Sequence, residues 1–193
     1  MTYRMAAMGQ DATLRYMVKG TRIRQEIEAP QMPGPMFMLM DVDGNVVRTV
    51  MPSMGMYMEI NLDDMERYLT DDQRKAAEDV TIEKLGTSDR IAGIPCENYR
   101  MGAPAEMEIC VATGMGWFMS APAPGRGRGA GAPNLAKFRE QFKDGMLPLR
   151  MTHVKNGTRE VMMEATSVER KALDDSLFQL PTGLRKMDMP GGE

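Results

Sequence analysis

Methionine is the residue type whose number and spacing carry the most chemistry in this chain. Of 193 residues 23 are Met, against five Phe and one Trp, and twelve of the 23 lie within the first 58 positions. Met36, Met38 and Met40 recur at period two, as do Met54, Met56 and Met58, and side chains at that period share one strand face. Two neighbouring strands of this kind are expected to carry a continuous methionine wall. Three readings stay open. Methionine fills irregular gaps and can be ordinary core. It also lines surfaces that adapt to varied apolar partners, which makes Met36, Met38, Met40, Met54, Met56 and Met58 candidate ligand-lining residues. Its thioether is a soft donor for Cu(I), with Met38, Met40, Met56 and Met58 as the candidate metal set. A core that specifies one packing mixes Val, Ile, Leu and Phe, and this wall does not.

Other chemistry is thin. His153 is the single histidine, which removes most zinc sites and most imidazole acid–base catalysis. It sits in an alternating run with Leu149 and Met151, where a strand histidine is expected. The acidic pairs Asp63-Asp64, Asp71-Asp72 and Asp174-Asp175 stand where helices would begin and complement a helix dipole. Gly125-Arg126-Gly127-Arg128-Gly129 lacks the Gly-Lys-Ser/Thr ending of a phosphate loop, and two arginines are too few for a nucleic-acid groove. No Gly-x-Ser-x-Gly is present. The expectation is a protein that is not an enzyme and has no cofactor.

Two cysteines remain, Cys96 and Cys110. Ile94 to Arg100 and Met107 to Val111 both alternate at period two, and Gly102 and Pro104 punctuate a turn between them. Folded as a hairpin about Ala103, Cys96 stands opposite Cys110, within bridging distance. The alternative is a pair of buried thiols. A bridge implies an oxidising compartment. The chain opens Met1-Thr2-Tyr3-Arg4-Met5 without a signal-peptide pattern, so either the protein is cytosolic or the sequence begins after its leader, and the two cysteines favour the second.

The elements that must position these residues read mainly as antiparallel strand. Thr13 to Val18, Arg22 to Glu28, Met36 to Val42, Val46 to Val50 and Met54 to Leu62 alternate or run apolar. Leu147 to Val154 and Thr158 to Val168 do the same late in the chain. Gly20-Thr21, Asp43-Gly44 and Lys155-Asn156-Gly157 mark turns. Two helices are expected, one from the capping box at Thr70 to about Val80, the other from Asn134 to Gly145. Residues 121–133 are nearly all Gly, Pro, Ala and Arg and are expected to form a mobile loop. Net charge is −3, no apolar run reaches the roughly 20 residues of a membrane span, and 193 residues suit one domain.

Lys84-Leu85-Gly86-Thr87-Ser88-Asp89-Arg90-Ile91-Ala92-Gly93-Ile94-Pro95-Cys96-Glu97-Asn98-Tyr99, then Glu108-Ile109-Cys110-Val111-Ala112, resembles an exported bacterial domain-of-unknown-function family, number 4412. So does the ending Asp175-Ser176-Leu177-Phe178-Gln179-Leu180-Pro181-Thr182-Gly183-Leu184-Arg185-Lys186-Met187. That family is similar to the LolA/LolB lipoprotein-carrier superfamily. The resemblance implies an α+β fold, mainly antiparallel β, shaped as an open curved half-barrel with about two helices on its concave side. It implies a periplasmic or otherwise exported binding protein that shelters a lipid or lipoprotein acyl chain. It carries over no catalytic residue, and Cys96 and Cys110 match the family's cysteine pair. A monomer is expected. The alternatives are a periplasmic Cu(I)-binding protein and an envelope-associated structural domain without a ligand.

Overall fold

A computed structural model defines the fold and describes residues 1–7, 10–30, 34–62, 64, 81–102, 106–116, 118, 141–155 and 157–187. Alternation of apolar and polar side chains governs most of these segments, and the backbone follows it into twelve strands. They are β1 (Thr2–Ala7), β2 (Gln10–Lys19), β3 (Arg22–Glu28), β4 (Met36–Asp41), β5 (Val46–Met51) and β6 (Met56–Asn61). Then come β7 (Thr81–Ile91), β8 (Ile94–Gly102), β9 (Glu106–Ala112), β10 (Leu147–Lys155), β11 (Thr158–Ser167) and β12 (Arg185–Lys186). Among the described residues two 3₁₀ turns also have defined bounds, Pro52–Met54 and Asp175–Phe178.

The expected α+β half-barrel with helices on a concave side is therefore corrected to a nearly all-β architecture. Among the described residues only Gln141 has α-helical geometry. The physical reason is that strand pairing dominates the chain, and it includes β1 and β7, which periodicity alone does not mark. The expected helix at Thr70 to Val80, most of the one at Asn134 to Gly145, and the loop at 121–133 lie outside the described residues. Of the acidic pairs, Asp174 does cap an element. Its carboxylate accepts from the Ser176 amide at 2.8 Å, opening the second 3₁₀ turn.

The chain divides into two compact units, residues 1–65 with 167–193 and residues 66–166. In the first, the strand order is β12-β6-β5-β4-β3-β2-β1. All neighbours are antiparallel except β12, which runs parallel to β6 with Arg185 beside Met56. Sequential hairpins need only tight turns. Gly20-Thr21 joins β2 to β3, with Gly20 at φ 61°. Between β4 and β5 the Asp41 carboxylate accepts from the Gly44 amide at 2.9 Å, and Asn45 takes φ 55°.

One face of this sheet is charged and is covered by the chain's own ending. Lys19 donates to the Leu173 carbonyl at 2.8 Å, and Arg22 to Asp175 at 2.5 Å. Arg24 donates to the Leu177 carbonyl at 2.8 Å while its guanidinium lies 3.7 Å from the centre of the Phe37 ring. Leu180 and Leu184 then pack on the buried cluster of Phe37, Leu39 and Val50, beside Tyr57. Lys186 closes the strap on Glu59 at 2.8 Å.

In the second unit the order is β11-β10-β9-β8-β7, antiparallel throughout. Its core gathers Tyr99, Ile109, Val111, Phe142 and Met146, with the Tyr99 and Phe142 rings edge-on at 4.9 Å. A bulge between Lys84 and Ser88, with Gly86 at φ 71°, breaks the alternation of β7 and hides that strand from a period-two reading. Cys96 and Cys110 are joined in a disulfide, and both are buried.

Candidate functional site

The other face of the first unit's sheet holds the methionines, and the strand registers place each of them. One row across the sheet runs Tyr3, Leu14, Ile27, Met36. Continuing the β4–β5 register one step past Phe37 and Val50 brings Met51 beside Met36, and Met51 pairs with Met56. The next row runs Tyr16, Gln25, Met38, Thr49, Met58. A third runs Val18, Ile23, Met40, Val47, Ile60. None of these residues is charged.

Exposure grades along the rows. Tyr3, Leu14, Tyr16, Ile23 and Gln25 are buried, and so are Met40 and Val47. Met36, Met38, Met51, Met56, Met58 and Ile60 are half-buried. The sheet thus passes from a closed aromatic and aliphatic end to an accessible thioether-rich end at β6. Burial removes Tyr3 from titration in the ordinary range: desolvation, then the nearby Tyr16, raises its phenol pKa.

The expected six-residue lining set is brought only partly together. Met36, Met38 and Met40 share a face with Met56 and Met58, but β4 and β6 are not neighbours. Strand β5 lies between them and contributes Met51, Thr49 and Val47. Met54 is not in a strand. Pro52 starts a 3₁₀ turn there, and Met54 is 54% exposed at its tip. Met40 is 3% exposed and is core. Met51 belongs to the face without having been expected there, although Thr49 and Met51 repeat at period two ahead of Pro52.

The second unit offers a different concavity, a groove of about 350 Å³ on the far side of its sheet from Tyr99 and Ile82. Arg100, Arg150, Arg159, Asp89, Glu108 and Asn98 line it over Cys110. Its charges pair among themselves. Arg150 bonds Glu164 at 2.6 Å and Asp89 at 3.1 Å, Arg159 bonds Glu108, and Arg100 lies 3.7 Å from Glu108. An apolar ligand would desolvate these groups without replacing their water, so this groove does not suit one.

Among the described residues no cluster of His, Cys, Asp or Glu could hold a metal ion. His153 lies in β10 opposite Met107 and Glu160, half-buried, with no nucleophile beside it in either register.

No curated protein matches the chain. Its fold is similar to the crystal structure of an uncharacterized conserved protein from Thermus thermophilus. The TM-score is 0.58 at 11% identity, covering 96% of this chain and 86% of that one. It is also similar to PNGF-II, with TM-score 0.53 and 16% identity, covering 98% of this chain but 30% of that one. At these identities the likeness concerns fold alone. A family model matches residues 1–184.

Proposed function

The chain belongs to that family, described as Domain of unknown function (DUF4412), and we propose that it is a non-enzymatic binding domain for a lipid or other apolar ligand. The ligand rests on the methionine-bearing face of the first unit. The observation that carries this reading is the register of β4, β5 and β6. It sets Met36, Met38, Met51, Met56 and Met58 side by side, half-buried, in rows that carry no charge from β1 to β6 and meet Arg185 of β12 beside Met56. The opposite face is already covered by Leu180 and Leu184. Burying a thioether side chain against a hydrocarbon gains about 1.5–3 kcal/mol, and unbranched Met adjusts to chains of different shape.

The proposal extends to an exported protein, monomeric, whose ligand is drawn from lipids or lipoprotein acyl chains. Support for export comes from the Cys96–Cys110 disulfide, which persists in oxidising compartments. Among the described residues no helix is long and apolar enough to cross a membrane. Native mass spectrometry of gently purified protein tests the reading. A co-purified species of lipid mass supports it, and protein that neither carries nor takes up lipid argues for plain core.

A further inference from the structure

We propose that Met36, Met51 and Met56 form a three-thioether site for Cu(I), at the end of the sheet where β5 turns into β6. Met51 stands opposite Met56, and the β4–β5 register, which ends at Phe37 opposite Val50, brings Met36 beside Met51 when carried one step further, so three successive strands offer one methionine each to a single row. Cross-strand neighbours have Cβ atoms about 4.5–5.5 Å apart. Each Met sulfur lies two bonds beyond its Cβ on freely rotating single bonds, so the outer two can lean toward the central one. All three residues are half-buried and therefore reachable.

The row is firmly seated. The turn between Met51 and Met56 is the 3₁₀ piece Pro52–Met54 closed by Gly55 at φ 63°, whose amide bonds the Pro52 carbonyl at 3.0 Å. Gly34, just before β4, approaches so closely that a Cβ there would lie 2.9 Å from the Ser53 hydroxyl. Gly34 ahead of β4 and Ser53 in the β5–β6 turn therefore lie in close contact beside the row.

The chemistry selects the ion. Soft thioether donors prefer Cu(I), whereas hard divalent ions require oxygen ligands. No carboxylate stands in this row, and the strand neighbour of Met56 on its other side is Arg185, whose charge disfavours a doubly charged ion most. No free cysteine is present to compete, because both are in the disulfide. The site also differs from the four-residue set expected from spacing. Met40 is buried in a row with Val47 and Ile60 and cannot join, and Met51 takes the central position.

The test is anaerobic competition of the protein with bicinchoninate for Cu(I), using the parent, M51L, M36L/M51L/M56L and M38L/M58L. The parent should withdraw one equivalent of Cu(I), M51L should lose at least about tenfold in affinity, and M38L/M58L should stay within about threefold of the parent. X-ray absorption of the loaded parent should show sulfur as the only near ligand. Far-ultraviolet circular dichroism checks that each variant is folded; if M51L is not, M36L takes its place. A parent that takes no copper, binding that survives the triple change, or a nitrogen ligand from His153 overturns the proposal. Binding of a fluorescent fatty acid is measured on the parent alone, so a parent that takes up the fatty acid but no copper overturns this site without overturning the apolar-ligand reading.

Discussion

Asn98, not Cys96, stands opposite Cys110 in the β8–β9 register, so the Cys96–Cys110 disulfide crosses the two strands diagonally. The sulfurs meet because Cys96 and Cys110 point to the same face of the ladder, with Cα atoms 5.3 Å apart. The bridge pins β8 to β9 at the end remote from their connecting loop.

That bridge closes a segment with a sequence separation of 14. The chain-entropy argument assigns a loop of this size about 3 kcal/mol. The double variant C96A/C110A should therefore unfold in urea with about that much less stability than the oxidised parent. Both cysteines are buried, so the parent's bridge should resist mild thiol reductants until the protein is unfolded. Equal stability of the two proteins would show that the bridge constrains nothing.

The strap at the C-terminal end predicts a second effect. Leu180 and Leu184 are half-buried on Phe37, Leu39 and Val50. Truncating either to Ala should cost about 1 kcal/mol, less than the roughly 2–5 kcal/mol of a fully buried leucine. Urea denaturation measures this. No loss in either variant would mean that the strap does not stabilise the sheet.

Acid should loosen the same strap. Lys19 and Arg22 hold the Asp175 carboxyl below its ordinary pKa of 3.8, and Lys186 with Arg48 hold Glu59 below 4.5. A carboxyl with a depressed folded pKa contributes stability above its unfolded pKa and loses it as pH falls through the folded one. The urea midpoint should be flat with respect to these two groups from about pH 7 to about pH 5 and fall below about pH 4. The variant K186M should flatten the acid limb. An acid limb unchanged in K186M would remove Glu59 from the explanation.

Gly55 sits at φ 63°, and a Cβ at this position would meet nothing within 4 Å, so substitution there strains only the backbone. G55A should cost about 1–2 kcal/mol, and G55N less, because Asn tolerates the left-handed region. Thermal unfolding of the two variants checks the order. G55A as stable as the parent would contradict the turn geometry that sets Met51 against Met56.

Strand period makes most of the sheet legible before its pairing. Met36, Met38 and Met40 share a face whatever lies beside them, because alternation is a property of one strand. Which strand lies beside them is not such a property. Pro52 ends β5 and turns the chain within four residues, so β5 rather than β6 neighbours β4, and Met51 enters the face. The disulfide partners are legible from their shared parity, whereas their offset depends on where the loop after Gly102 closes. The strap is not legible: residues 173–187 show little alternation, and their place is fixed by contacts with Arg22, Arg24 and Phe37 about 150 positions away in sequence. The groove over Cys110 likewise depends on three arginines that come together only through the β8–β9–β10 register and the β10–β11 hairpin.

Titration with a fluorescent fatty acid of the parent, M38L/M58L and M38D/M58D tests the central claim most directly. Met38 and Met58 flank Thr49 in one row, are half-buried, and lie outside the copper row. The leucine pair conserves volume and apolarity, at under about 1.5 kcal/mol per change, and should bind as the parent does. The aspartate pair puts two charges where the chain of the ligand would lie and should abolish binding, with circular dichroism confirming the fold. A parent that binds no probe, or an aspartate variant that binds as well as the parent, would contradict the account.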